Sequence, residues 1–319
     1  MKKMPWILLC CALVFSLAAC GGETATSGEQ SVSGASGTVI SFTDDLEREI
    51  SIKSPQRVAT LIGSFTDVWC LAGGGDTLVA SAGDAWTQFE LELPETVVDL
   101  GSVTEPNLEL LLAAEPDLAI GSTKTSADVE LLDVLEQAGI PVAYFNISSF
   151  EDYLRMLDIC TQLTGCLEHY KQYGTDVQTQ VEQAKARVTD GEPSVLYVRA
   201  TGSSCKVKNS RDTVLGEMLA ELGCVNIADS ESDLLENLSM ETILAADPDY
   251  IFVVLQGSDT TKAEATLELA LLSNPAWNEL SAVQEGRYYV MDQRLYNVKP
   301  NARWGEAYEK LADILYPAE

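Results

Sequence analysis

One segment of this chain occurs twice. Asn107-Leu-Glu-Leu-Leu-Leu-Ala-Ala-Glu-Pro-Asp-Leu-Ala-Ile120 returns as Ser239-Met-Glu-Thr-Ile-Leu-Ala-Ala-Asp-Pro-Asp-Tyr-Ile-Phe252. In both copies a Glu stands eight positions before the Asp of a Pro-Asp pair: Glu109 before Asp117, and Glu241 before Asp249. Each copy reads as cap, short helix, turn and buried strand. Asn107 and Ser239 are good N-cap residues, and Glu109 and Glu241 fall in the first turn, near the positive end of the helix dipole. The apolar runs 118–120 and 250–255 have the composition of buried strands. Copies set 132 positions apart predict two similar α/β lobes.

The N-terminus indicates where such lobes work. Lys2 and Lys3 precede an apolar stretch, 5–19, that has leader length and is short for a spanning helix. It ends in Leu17-Ala18-Ala19-Cys20-Gly21, which resembles the bacterial lipobox, whose Cys is lipidated and becomes the first mature residue. Residues 21–37 are rich in Gly, Ser and Thr without apolar periodicity, a flexible tether with a reach of roughly 20–25 Å. The expected plan is a leader at 1–19, lipidated Cys20 with its tether to 37, a lobe at 38–150, connecting helices at 151–190 and a second lobe at 191–319. The expected location is extracytoplasmic, on the bacterial cell membrane through the lipid alone.

A net charge of −29 excludes nucleic acid as a default partner and repels anionic headgroups. It also makes any local cluster of cations conspicuous. Cys70, Cys160, Cys166, Cys205 and Cys224 follow Cys20; the odd number and the absence of Cys-x-x-Cys argue against a disulfide scaffold. Cys70, Cys160 and Cys224 sit in apolar contexts that suit buried thiols.

Along the chain, a hairpin is expected from 38–42 and 48–52. Strand 57–62 follows, then helix 65–72 capped by Ser64 and stopped by Gly73-Gly74-Gly75, and strand 78–81. After the first copy come helix 128–138, ended by Gly139, and strand 142–146. Such alternation predicts a parallel sheet with right-handed crossovers. Tyr153, Leu157 and Cys160 mark an amphipathic helix ended by Gly165. Tyr170, Tyr173, Val177, Val181, Ala184 and Val188 mark a second, from about 168 to 188. Its narrow stripe and length of ~30 Å suit a rod between two lobes. A second α/β series follows: strand 194–198, polar loop 199–211, helix 213–222, strand 225–228, the second copy, strand 287–291 and helix 302–315.

Arg57-Val-Ala-Thr-Leu-Ile-Gly-Ser-Phe-Thr-Asp67 with Leu71-Ala-Gly-Gly-Gly-Asp76 resembles the opening of substrate-binding lipoproteins that serve iron-complex and cobalamin ABC importers. So do both copies of the repeat, Leu135-Glu-Gln-Ala-Gly-Ile-Pro141, Asn274-Pro-Ala-Trp-Asn-Glu-Leu-Ser-Ala-Val-Gln-Glu-Gly-Arg287 and Lys299-Pro-Asn-Ala-Arg-Trp-Gly-Glu306. The resemblance runs from about residue 38 to 317. Glu47 departs from it, standing where the hairpin commonly turns through Gly; so does Gly63, where the first loop often has Pro.

The resemblance implies two Rossmann-like lobes with parallel sheets, joined by one long α-helix, with the ligand in the cleft between them. Open parallel sheets bind ligands beyond the carboxyl ends of their strands. The loops at those positions contain Ser64, Trp86, Lys124, Arg199, Lys206, Lys208, Arg211, Arg294 and Tyr296. All but Arg211 form the expected binding set. A basic, aromatic cleft suits a large anionic chelate such as a ferric siderophore or haem. In the family an acidic residue on each lobe docks onto basic residues of the permease dimer, and Glu109 and Glu241 occupy the matching positions.

Nothing here builds an enzyme. His169 is the sole His, on the expected connector, so no Ser-His-Asp or imidazole-rich metal set can form. The expectation is a monomeric receptor without cofactor or resident metal, capturing an iron chelate for an ABC importer. A cobalamin or corrinoid receptor of the same class, or a tethered sensory lipoprotein without transport, stays open beside it.

Overall fold

The two copies of the repeat fold alike and do the same work. In the computed structural model, which describes residues 39–317 apart from Asp212, Glu231, Ser258 and Asp259, Asn107 Oδ1 accepts the Leu110 N–H (3.0 Å) and Ser239 Oγ accepts that of Thr242 (3.3 Å). These side chains cap helices Leu108–Ala113 and Met240–Ala246. Glu115 and Asp247 then take matching left-handed conformations, φ 46° and 38°. The Pro-Asp carboxylates follow: Asp117 accepts the Gln56 and Arg57 amides (both 2.9 Å), and Asp249 accepts the Ser194 amide and hydroxyl (2.8 and 2.7 Å). Each Asp thus ties the start of the neighbouring strand to its own. The leader, Cys20 and the tether lie outside the described residues.

The chain opens with an antiparallel hairpin of β1 (Val39–Thr43) and β2 (Glu49–Lys53), turned through Glu47 at φ 59°. Five strands follow, β3 (Val58–Thr60), β4 (Leu78–Ser81), β5 (Val98–Asp99), β6 (Leu118–Ser122) and β7 (Val142–Phe145). They pair in parallel in the order β5-β4-β3-β6-β7. The second sheet takes β8 (Ser194–Ala200), β9 (Cys205–Lys208), β10 (Val225–Asn226), β11 (Tyr250–Leu255) and β12 (Tyr288–Met291). Its parallel order is β10-β8-β11-β12, and β9 pairs antiparallel with β8.

Helix Phe150–Thr164 starts on a Ser149–Asp152 capping box and stops at left-handed Gly165. A second continuous helix, 167–185, contains a π turn at Lys171–Thr175, where the Tyr153 hydroxyl takes the Tyr173 carbonyl (2.8 Å). That hydrogen bond gives the Tyr173 carbonyl a partner from the preceding helix. The helix packs along Trp304–Leu315. Among the described residues no helix is long and apolar enough to cross a membrane.

Strand alternation divides the apolar side chains between the lobes' own cores and a shared one. Ala119, Val142 and Tyr144 turn into a core on one face of the first sheet, and Leu196, Val198, Ile251 and Val253 into one on the second. The alternate residues Leu118, Ile120, Phe145, Val195, Tyr197, Phe252 and Val254 enter a single core with Phe150, Tyr153, Val177, Val181, Trp304 and Tyr308. One apolar cluster therefore runs through both lobes and the helices between them. Bending there would break close packing, which interiors resist.

Three local expectations change. Ser64 does not cap helix Gly63–Leu71; it lies inside the first turn, buried, with Oγ unpartnered. Residues 199–211 are not one polar loop, because Val207 is buried between outward Lys206 and Lys208, a strand period that lets β9 pair with β8. Helix 128–138 is split into Ser126–Glu130 and Leu132–Gln137.

Candidate functional site

A cleft of about 880 Å³ opens beyond the carboxyl ends of the strands of both sheets. Ser64 follows β3, Asp84 follows β4, Ser122 ends β6 and Lys124 follows it, and Asn146 and Ser148 follow β7. Tyr197 and Arg199 of β8, Gln256 after β11, and the segment Tyr296, Asn297, Val298 and Lys299 form the opposing wall. The location is where open parallel sheets present loops to a ligand.

The floor is held by buried polar groups. Thr66 Oγ1 shares hydrogen bonds with Thr60 Oγ1 and Ser81 Oγ (both 2.7 Å), tying the ends of β3 and β4 to helix Gly63–Leu71. Asp84 Oδ1 accepts the Gly63 N–H (2.8 Å). That bond accounts for Gly63: proline would lack the donor, and any Cβ there would meet the Ala85 nitrogen at 2.5 Å. Asp128, fully buried, accepts the Ser122 N–H on Oδ2 (2.8 Å), while its Oδ1 has no partner.

Three cations line the cleft: Lys124, Arg199 and Lys299. Arg199 donates to Asn297 Oδ1 (3.0 Å). Burial lowers the Lys299 pKa from its ordinary value; Asp84 and Asp128 oppose that shift, and the Lys124 charge adds to it. Burial raises Asp84, against the Gly63 bond and the Lys299 charge. It pushes Asp128 up to about 7, with Ser122 pulling down and Asp84 adding to the rise.

Two contacts cross from the C-terminal segment to the first lobe. Arg294 pairs with Glu90 (3.0 Å) and donates to the Phe89 carbonyl (3.2 Å). Asn301, buried at φ 53°, donates Nδ2 to the Ser64 carbonyl (2.9 Å) and Asp67 Oδ2 (2.8 Å).

Of the residues expected from sequence, Ser64, Lys124, Arg199 and Tyr296 come together in the cleft wall. Tyr296 turns its hydroxyl inward to the Ala307 carbonyl (3.0 Å) and offers the cleft no phenol. Trp86 packs against the shared core instead, since its short helix Asp84–Thr87 turns it inward. Arg294 is engaged at the cross-lobe contact. Lys206 and Lys208 stand opposite Arg199 and Tyr197 on the β8–β9 ladder, outside the lining but on the same face. Burial first, then the charges of Arg199 and Lys206, lower the Lys208 pKa. Arg211 is exposed and does not line the cleft. Glu109 and Glu241 are exposed on their helices, and Glu241 borders a second hollow of about 390 Å³ with Thr242, Ala245 and Ala246.

Sequence reasoning missed Lys299, Asp84 and Asp128. Lys299 stands just before the expected helix 302–315, and Pro300 directly after it marks a loop residue. Asp84 stands two residues before Trp86, and an acidic side chain is not what an anion-binding cleft leads one to expect. His169 lies elsewhere, its Nδ1 bonded to the Leu71 carbonyl (2.8 Å). All five cysteines beyond the tether are free, and burial pushes the Cys205 thiol up to about 11, away from reactivity.

A family model described as periplasmic binding protein matches residues 58–295. The iron-uptake system-binding protein of Bacillus subtilis is 26% identical, over 100% of this chain and 98% of its own. Two solved structures share the fold: the periplasmic heme-binding protein RhuT of Roseiflexus sp. RS-1 and the periplasmic vitamin B12 binding protein BtuF of Vibrio cholerae. The first has TM-score 0.66 and 22% identity, covering 82% of this chain and 98% of that one. The second has TM-score 0.64 and 18% identity, covering 82% and 97%.

Proposed function

The chain belongs to the periplasmic binding protein family, and on that premise we propose that it captures an anionic iron chelate between its lobes and delivers it to an ABC importer. The observation that carries this reading is a cleft wall holding Lys124, Arg199 and Lys299 in a chain of net charge −29. Lys206 and Lys208 extend the basic face beyond Arg199. Carboxylate or catecholate oxygens of a chelate would pair with these cations in a partly desolvated space, where charge-assisted bonds are strong. The similarity to an iron-uptake binding protein agrees with that class of ligand. A corrinoid is less well matched to three cations, and no imidazole stands among the lining residues to ligate a haem.

The role is binding without chemistry, by a monomer. Cys20 would anchor it outside the cytoplasmic membrane, and the lobes would comprise 38–150 and 191–319 with helices between. Docking on a two-fold permease would use Glu109 and Glu241. Each sits at the start of a helix that crosses over between parallel strands, so each first turn lies on the carboxyl-end side of its sheet.

Scanning calorimetry of the full chain with ferric citrate, a ferric tricatecholate, haemin and cyanocobalamin tests the ligand class. A ligand at about 1,000 times its Kd adds ~4 kcal/mol, a shift of several degrees. A shift with the ferric anions supports the reading. A shift with cyanocobalamin alone replaces it with the corrinoid receptor. Iron uptake unchanged on deletion of the chain would favour the sensory role.

A further inference from the structure

The C-terminal segment places a cation in the cleft by an arrangement unlike that of the other two. Lys299 is held from both sides: the Val298 amide bonds to the Gln293 carbonyl (2.9 Å), and Asn301 is clamped to Ser64 and Asp67 of the first lobe. Pro300 lies between and fixes the backbone further. The side chain faces the cleft and is only partly exposed. Among the described residues, no carboxylate stands within ion-pair distance of its ammonium. The charged groups that act on it are Asp84 and Asp128, which favour its charge, and Lys124, which opposes it.

Both carboxylates are committed on one oxygen only. Asp84 spends Oδ1 on Gly63, and Asp128 spends Oδ2 on Ser122 and leaves Oδ1 bare in a buried setting. Asp84 is itself part of the cleft wall. A cleft meant only to attract anions would not keep a carboxylate there. An anion seated on Lys299 shares the cleft wall with Asp84, and in a partly desolvated space the two negative charges repel unless a proton neutralises one.

We propose that Lys299 is the cation that seats an oxyanion of the chelate, and that Asp84 and Asp128 couple this capture to the uptake of a proton. The inference rests on the cleft being a receptor for anionic chelates. Its sign follows from charge alone. An arriving anion raises the proton affinity of both carboxylates and of the Lys299 amine, so all three changes draw protons in. Burial pushes the Asp128 carboxyl up to about 7, so the effect is expected between about pH 6 and 8. A cationic or neutral cargo would release protons or leave them unmoved.

Titration calorimetry of the full chain with ferric citrate and with a ferric tricatecholate, in buffers of different ionisation enthalpy, counts the protons. The parent is expected to take up a fraction of a proton to one proton per probe bound, and to bind more weakly as pH rises from 6 to 8. Lys299→Met should weaken binding about ten- to hundred-fold, the loss of one charge-assisted contact. Lys299→Arg should restore most of it, and thermal unfolding shows whether each variant is folded. Asp84→Asn with Asp128→Asn should tighten binding and reduce the proton count. Parent binding with no proton uptake, or Lys299→Met binding as tightly as the parent, overturns the inference and leaves the receptor reading standing. Failure of the parent to bind either ferric probe overturns both.

Discussion

Asn301 and Asp67 are joined across the two lobes, Asn301 Nδ2 donating to Asp67 Oδ2 at 2.8 Å while it also holds the Ser64 carbonyl. Asn301 is fully buried and left-handed, φ 53°. The contact fixes where the C-terminal segment, and with it Lys299, meets the first lobe. Asn301→Ala removes both bonds, leaves the largely buried Asp67 carboxylate without this donor and keeps the unfavourable φ, at a cost of about 2–4 kcal/mol. Asn301→Gly should recover roughly 1 kcal/mol of that, because glycine tolerates the backbone. Urea unfolding of the pair measures the difference. A cost for alanine under about 1 kcal/mol would mean that the clamp does not hold the segment.

Asp128 should make stability depend on pH in an unusual direction. Its pKa of about 7 in the folded chain lies above the unfolded value, so the folded state binds the proton more tightly. That contribution is complete in acid below the unfolded pKa and is lost as pH rises toward 7. Asp128→Asn keeps an acceptor for the Ser122 amide and carries no charge to bury. It should unfold at higher temperature than the parent at pH 8, by on the order of 2–4 kcal/mol, and close to it at pH 4.5. Equal shifts at both pH values would show that Asp128 is not titrating in this range.

Glu109 and Glu241 are exposed, at equivalent positions in the two copies of the repeat. Neither lines the cleft. Replacing both with Ala should leave ferric-probe affinity within two-fold or so and cost no more than ~1 kcal/mol each through the helix dipole. Uptake of labelled iron by cells carrying the double variant should fall to background. Normal uptake by those cells would remove these residues from the docking surface.

Glu47 adopts φ 59° in the opening hairpin, where a side chain is strained by roughly 1–2 kcal/mol. Glycine relieves the strain but gains freedom in the unfolded chain, worth about 0.4–1 kcal/mol. Glu47→Gly should therefore raise stability by up to about 1 kcal/mol, a rise of a few degrees at most by calorimetry. A fall would mean that the Glu47 side chain makes a stabilising contribution larger than the backbone strain.

Much of the fold was legible because its determinants are local. Asn107, Ser239, Gly139 and Gly165 act on hydrogen bonds a few residues away, and the sequence shows them directly. The cap, helix and strand of each repeat copy were legible for the same reason, whereas the bonds of Asp117 and Asp249 to Arg57 and Ser194 at the start of the neighbouring strands, 60 and 55 positions away, were not. The π turn was not, because it arises where Tyr153 of one helix reaches the Tyr173 carbonyl of the next.

By itself the sequence determined two α/β lobes, their parallel strands and the helices between them, through periodicity, caps and stops. Only the tertiary structure decided which side chains share the cleft. Lys124, Arg199 and Lys299 come from three distant segments, and the loops that carry them obey no periodicity. Trp86 and Arg294 looked equivalent to the true lining residues in sequence. Packing against the shared core took one, and a contact with Glu90 took the other. Burial, which gives Asp84, Asp128 and Lys299 their altered proton affinities, exists only once the chain has folded around them.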